Sequence, residues 1–224
     1  MSTYKAIRKN PSAPQADAAL LAALRELPVA ALSDSMHRNT GTVGLRPFHR
    51  PVAATMAGTA VTARSRGGDN LTYLRALEFC RPGDVLVIDA GGDLQNAVVG
   101  GILSNYAASI GVVGVVIDGA VRDVAELRER EFPVYARGVT HRGPYKDGPG
   151  EINVPVSVGG MVVRPGDVLV GDQDGLLAIP PEDVPLLIEK ARAVLAAEAE
   201  TIRAMKEGRW DRSFIDALEA RCNN

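Results

Sequence analysis

In this 224-residue chain, the best candidates for chemistry are two glycines, Gly100-Gly101, and a cation–anion pair, Arg122-Asp123. Gly100-Gly101-Ile102-Leu103 opens a stretch that reads as a helix. The first turn of a helix presents backbone N–H groups without intrahelical partners, at the positive end of the dipole. Glycines there remove side-chain bulk, so a carboxylate or enolate oxygen can approach closely. Arg122 and Asp123 follow an apolar, β-branched run, Gly111 to Ile117, and a turn beginning at Asp118. The run reads as a buried strand. That puts the pair at a strand's C-terminal end, where open α/β sheets bind ligands. A guanidinium fork grips a carboxylate. A lone aspartate suits Mg²⁺, which keeps most of its waters and takes one or two protein oxygens. Such a cation polarises a carbonyl and stabilises an enolate. Each part alone is commonly a turn or a solvated ion pair. Together they describe a site for a small 2-oxo acid. The sequence has no dinucleotide-binding glycine motif, no Walker A loop and no zinc-type spacing of Cys and His.

The surrounding elements must hold these residues in place. Met1 to Asp17 is polar, carries Pro11 and Pro14, and is expected to be a flexible N-terminal segment. Leu20, Leu21, Leu24 and Leu27 share a helix face, and Val29 to Met36 reads as a second short helix ending near Ser33-Asp34. Ala57 to Arg64 reads as a strand, after which Asp69 or Asn70 caps a helix, Leu71 to Phe79. Arg81-Pro82-Gly83-Asp84-Val85-Leu86-Val87 recurs as Arg164-Pro165-Gly166-Asp167-Val168-Leu169-Val170, a reused turn-plus-strand unit. Asp89 and Asp93 lie in the loop before Gly100, where turn chemistry accounts for them. Val124 to Glu131 reads as a short helix and Phe132 to Ala136 as a strand. The polar loop Thr140 to Gly150 concentrates His141, Arg142 and Lys146 and is a candidate lid. Short strands are expected at Ile152 to Val158, Met161 to Val163, Val168 to Val170 and Leu176 to Ile179. Asp172 and Asp174 read as a structural turn. Glu182 to Glu207 is a long helix closed by Gly208, and Arg209 to Cys222 a last one, with Trp210, Phe214, Ile215 and Leu218 available to pack. The expected organisation is a flexible segment (1–17), an α/β domain holding the site (18–180) and C-terminal helices in subunit contacts (181–224).

Composition narrows the function classes. The net charge of −2 and the 4% aromatic content argue against nucleic acid as a partner. Two isolated cysteines, Cys80 and Cys222, fit a reducing cytoplasm. The absence of a long apolar run argues against a membrane span.

Gly-Gly-Ile-Leu at 100–103, Val-Val-Ile-Asp-Gly-x-x-Arg-Asp at 115–123, Phe132-Pro133-Val134 and Gly171-Asp172-x-Asp174-Gly175 together resemble the RraA-like family. The resemblance runs from about Leu27 to Gly208. The family includes class II 4-hydroxy-4-methyl-2-oxoglutarate aldolases, which also decarboxylate oxaloacetate, and RraA regulators of ribonuclease E. The resemblance implies a layered α/β/β sandwich with a long C-terminal helix, assembled as a homotrimer or homohexamer. It implies that Arg122 and the backbone of Gly100, Gly101, Ile102 and Leu103 hold the pyruvoyl part of a 2-oxo acid. Asp123 would bind Mg²⁺, Mn²⁺ or another divalent cation. Glu198, on the C-terminal helix, would reach a neighbouring subunit's site as a catalytic acid. The regulators lack an Asp after the Arg, so Asp123 favours a metal-dependent lyase. One departure bears on the substrate: bacterial aldolases of the family carry an Asp where this chain has Gly101. Two alternatives remain, a non-catalytic regulator binding a ribonuclease and an enolate-forming enzyme acting on a sugar acid.

Overall fold

The structure, a computed structural model, describes residues 6–222. In chain order the elements are β1 (Ile7–Lys9), α1 (Ala18–Leu24), α2 (Val29–Ser35), β2 (Arg46–Pro47), β3 (Met56–Ser65), α3 (Leu71–Ala76), β4 (Asp84–Asp89), β5 (Ala97–Val99), α4 (Gly101–Ser109), β6 (Gly114–Val121), α5 (Val124–Arg128), β7 (Val134–Val139), β8 (Gly150–Ile152), β9 (Val156–Val158), β10 (Met161–Val163), β11 (Val168–Gly171), β12 (Leu176–Ile179), α6 (Val184–Lys206) and α7 (Ser213–Cys222).

The central sheet runs β1-β8-β3-β4-β6-β7-β2, with β11 and β12 joined through β3 and β5 through β6. Its middle, β3-β4-β6-β7, is parallel. These strands are buried on both faces and read as near-continuous apolar runs, as parallel strands must. Side chains alternate between two cores. Val61, Ala63, Leu86, Ile88, Val115, Ile117, Val134 and Ala136 meet Tyr73 and Leu77, Ala107 of α4 and Leu127 of α5. Ala60, Val85, Val87, Val116 and Tyr135 point the other way, onto Val156 and Val158 of β9, Met161 and Val163 of β10, and Leu169 of β11. Helices thus cover one face and further strands the other, the expected α/β/β layering. A third cluster packs α1, α2 and the first half of α6 against β11 and β12 through Leu24, Leu32, Val170, Ile179 and Leu187.

Three local readings change. The strand before the Arg-Asp pair does not stop at Ile117. Asp118 to Val121 stay in β6, where a register irregularity against β7 absorbs the break, so the turn is confined to Arg122-Asp123. The N-terminal segment is pinned from β1 onward. Ile7, Arg8 and Lys9 pair with Gly150, Glu151 and Ile152, and Gln15 Nε2 donates to Asp84 Oδ1 at 2.9 Å. A three-residue strand in a polar stretch carries too little alternation to be seen in advance. Ile152 to Val158 divides into β8 and β9, which belong to different sheets.

Candidate active site

The site lies where β5 feeds α4 and β6 feeds α5. β5 and β6 are parallel neighbours, so both C-terminal ends arrive together. Two hydrogen bonds join the turns. Arg122 N donates to Val99 O at 3.0 Å, and Gly101 N donates to Asp123 Oδ2 at 3.0 Å. Both positions are crowded by neighbouring side chains in this arrangement. A Cβ on Gly100 would lie 2.3 Å from Asp123 Oδ2 and 2.8 Å from Arg122 Cγ. A Cβ on Gly101 would lie 2.0 Å from Glu126 Oε2. Asp123 adopts the left-handed region, φ +59°, which is costly for a residue with a Cβ.

Around these turns is a cavity of about 30 Å³, lined by Gly100, Ile102, Leu103, Arg122, Asp123 and Asn70, among others. The structure therefore brings Arg122, Asp123 and the first turn of α4 to one place. One detail differs from the expectation. The Gly101 N–H is engaged by Asp123, which leaves Ile102 and Leu103 as the first-turn donors. Leu103 is held from behind by Tyr73, whose hydroxyl donates to Leu103 O at 3.3 Å, and burial keeps that phenol protonated by pushing its pKa up.

The donor set fits a hydrated divalent cation. Asp123 Oδ2 takes the Gly101 N–H and lies 3.7 Å from Arg122 Nε, the side chain is 43% exposed, and Oδ1 accepts nothing among the described residues. No cluster of three or more His, Cys, Asp or Glu residues placed to hold a metal exists among the described residues. One carboxylate with waters is a Mg²⁺ arrangement and not a structural zinc site.

The Thr140 to Gly150 loop is a fixed wall, not a free lid. Ala97 N donates to Arg142 O, Asn96 Nδ2 to Gly143 O, and Asn70 N to Tyr145 O. The buried carboxylate of Asp69 accepts from the N–H groups of Leu71, Asp147 and Gly148. Gly143 is thereby set against the Arg122 guanidinium, where a Cβ would lie 3.1 Å from Nη1. His141, Arg142 and Lys146 are exposed. Asp89 and Asp93 accept from nearby backbone N–H groups, as turn residues do, and Asp172 accepts from Val29 N and Asp174 N. Arg64 pairs with Glu151.

Glu198 stands apart. It lies on α6 in a shallow groove with Asp34, Arg38, Val194 and Thr201, and it does not line the Arg122 cavity of its own chain. Two residues of the site were not singled out from sequence as site groups. Glu126, anchored by Asn105 and Arg130, lays its carboxylate over Gly101. Asn70, read as a helix cap, lines the cavity. No sequence signal marked Glu126. The one available signal for Asn70 was its place at the start of the helix that follows the Ala57 to Arg64 strand.

The chain has relatives among known proteins. The chain is 36% identical over 194 residues to a protein of Halalkalibacterium halodurans named "Putative 4-hydroxy-4-methyl-2-oxoglutarate aldolase", covering 86% of this chain and 91% of the relative. It is 44% identical over 112 residues to the 4-hydroxy-4-methyl-2-oxoglutarate aldolase of Thermus thermophilus, covering 50% of this chain and 68% of that one. Among solved structures, the RNA-processing inhibitor RraA of Thermus thermophilus superposes with a TM-score of 0.62 at 38% identity, covering 69% of this chain and 93% of that one. Residues 29–178 match the family described as Aldolase/RraA, and the chain belongs to that RraA-like family.

Proposed function

We propose that the protein is a divalent-metal-dependent lyase that cleaves a carbon–carbon bond of a 2-oxo acid through a pyruvate enolate. Its reactions would be aldol cleavage of the 4-hydroxy-4-methyl-2-oxoglutarate type and decarboxylation of oxaloacetate. One observation carries the reading: Arg122, Asp123 and the first turn of α4 line a single cavity at the C-terminal ends of parallel strands. The aldolase names of the relatives support it.

Arg122 grips the substrate carboxylate with its fork, and the Ile102 and Leu103 N–H groups take the remaining negative charge. A Mg²⁺ or Mn²⁺ ion held by Asp123 would supply positive charge where the ketone oxygen becomes the enolate oxygen. In the aldol substrate the C4 hydroxyl gives up its proton and becomes a carbonyl as the C3–C4 bond breaks; in oxaloacetate C4 leaves as CO2. In both, the electron pair of that bond passes into the enolate, and a proton is then taken at C3. In a homotrimer or homohexamer, Glu198 of a neighbouring copy would handle that proton. We place this chemistry in the cytoplasm, on a small-molecule substrate, with neither nucleic acid nor membrane as partner. Among the described residues, no helix is long and apolar enough to cross a membrane.

The test is pyruvate release from both compounds, with Mg²⁺ and with EDTA. Turnover that needs metal and vanishes in Arg122→Ala is the expected result. Turnover indifferent to EDTA would remove the metal from the mechanism. No turnover by folded protein would favour the regulatory reading that the likeness to an RNA-processing inhibitor supports.

A further inference from the structure

Asn70 is 3% exposed and lines the same cavity as Arg122 and Asp123. Its backbone is fixed from both sides, since its N–H donates to Tyr145 O and its carbonyl accepts from Leu74 N. Its side-chain amide is oriented as well, because Nδ2 donates to Val98 O at 3.3 Å. Turning the amide over would set two oxygens against each other, so Oδ1 is the end left over. Oδ1 is buried and accepts no hydrogen bond. Buried polar atoms are nearly always paired, and one that is not calls for an explanation.

The donors that share the cavity, the Arg122 guanidinium and the Ile102 and Leu103 N–H groups, do not bond Oδ1, and much of the remaining wall cannot supply a donor. Ala97, Val98, Val99, Leu103 and Pro144 present apolar side chains to the cavity. The space of about 30 Å³ has room for small polar groups such as a water or a hydroxyl. An unpaired acceptor on a residue that lines this space is complementary to a ligand that brings an O–H.

We propose that Asn70 is a specificity residue whose Oδ1 accepts the hydroxyl hydrogen of a hydroxylated 2-oxo acid. This rests on the lyase reading and sharpens its substrate class. The site would then favour aldol substrates, which carry a hydroxyl on the carbon next to the bond that breaks, over oxaloacetate, which has no hydroxyl. An amide oxygen orients the hydroxyl but does not remove its proton, so Asn70 positions the substrate and is not the base.

The experiment compares kcat/KM of wild type and Asn70→Ala on 4-hydroxy-4-methyl-2-oxoglutarate and on oxaloacetate. Asn70→Ala is expected to lose at least about tenfold on the hydroxylated compound and to stay within about threefold on oxaloacetate. A merely structural role would lower both alike, and equal losses, or no loss on either, would overturn the proposal. Because Asn70 is buried, a second measurement avoids the variant. Wild-type protein in EDTA, where metal-dependent turnover is absent, is titrated with 4-hydroxy-2-oxoglutarate and with 2-oxoglutarate. The hydroxylated acid is expected to bind at least about tenfold more tightly. Indistinguishable binding, or none of either, overturns the proposal. A clear preference without any turnover would instead support Asn70 and reject the lyase reading.

Discussion

In the turns Arg81–Asp84 and Arg164–Asp167, a glycine takes the left-handed position, Gly83 at φ +93° and Gly166 at φ +90°. The proline before it presets φ, and the aspartate after it is buried and accepts the first arginine's N–H at 2.7 Å. Both turns close on the same stretch of β3. Gly83 O accepts from Thr59 N, and Asp167 O accepts from Ala60 N. At Arg122-Asp123 the left-handed position falls instead on the aspartate, and the carboxylate is 43% exposed. In the first two turns glycine carries the unusual backbone at little cost, and the acid serves the fold. In the third the acid carries the strain and faces the cavity. A carboxylate held open in a strained turn at a strand's C-terminal end is what a binding site needs, and a turn that only reverses the chain does not.

The comparison breaks most visibly if Arg122 is structural. Arg122→Ala should lower kcat/KM for pyruvate release by about a thousandfold, the scale of losing a main electrostatic stabiliser. Its melting temperature should stay close to wild type, because Arg122 is a partly exposed cation whose ion pair with Asp123 is long, at 3.7 Å. A variant that melts early and loses activity in proportion would make this turn no different from the other two.

Asp84→Ala should do the reverse. Asp84 is fully buried and accepts from Arg81 N and Gln15 Nε2. Its removal leaves the Arg81 N–H unpaired, a cost of about 1–3 kcal/mol in chemical denaturation, while Gln15 Nε2 keeps its bond to Pro82 O. Turnover per folded molecule should be unchanged. Unaltered stability would mean the turn is held by its Pro-Gly backbone alone.

These contrasts also explain what could be read from the chain. The parallel strands β3, β4 and β6 and the glycine-led α4 were legible because burial on both faces leaves a continuous apolar record and a helix start leaves its glycines. The juxtaposition of Arg122 with Gly100 was visible only as two motifs; β5, just three residues long, joins them by pairing with β6. Glu126 over Gly101 was invisible, since it arises from two helices meeting, and the sequence records only an ordinary helix acid paired with Arg130. The loop at 140–150 looked mobile from its glycines and charges. Its anchor, the buried Asp69, lies 78 residues before Asp147, and a contact of that separation has no local signature.

Asp123→Gly separates strain from function within the third turn. Glycine accepts φ +59° without penalty, so the variant should be more stable than wild type by about 1 kcal/mol while metal-dependent turnover disappears. A loss of stability would mean that the bond from Gly101 N to Asp123 Oδ2 outweighs the backbone strain, and that the carboxylate is there chiefly to cap α4.

The smallest effect tests whether the two structural turns are equivalent. Burial raises the Asp167 carboxyl above its ordinary value of 3.8, against the smaller opposing pull of the Arg164 N–H. A raised folded-state value means that the native protein holds this proton more tightly than the unfolded chain does. Below pH 3.8 both states are protonated and Asp167 costs nothing. As pH rises from there through the folded-state value, native protein must give up a proton it binds well, and stability falls. Asp167→Asn keeps an oxygen for the Arg164 N–H and has no proton to lose. It should therefore be slightly more stable than wild type at neutral pH, with the advantage disappearing on acidification below pH 3.8. Melting curves of both proteins across that range would read the difference. An advantage that persists undiminished in acid would assign it to packing and leave the Asp167 turn electrostatically silent.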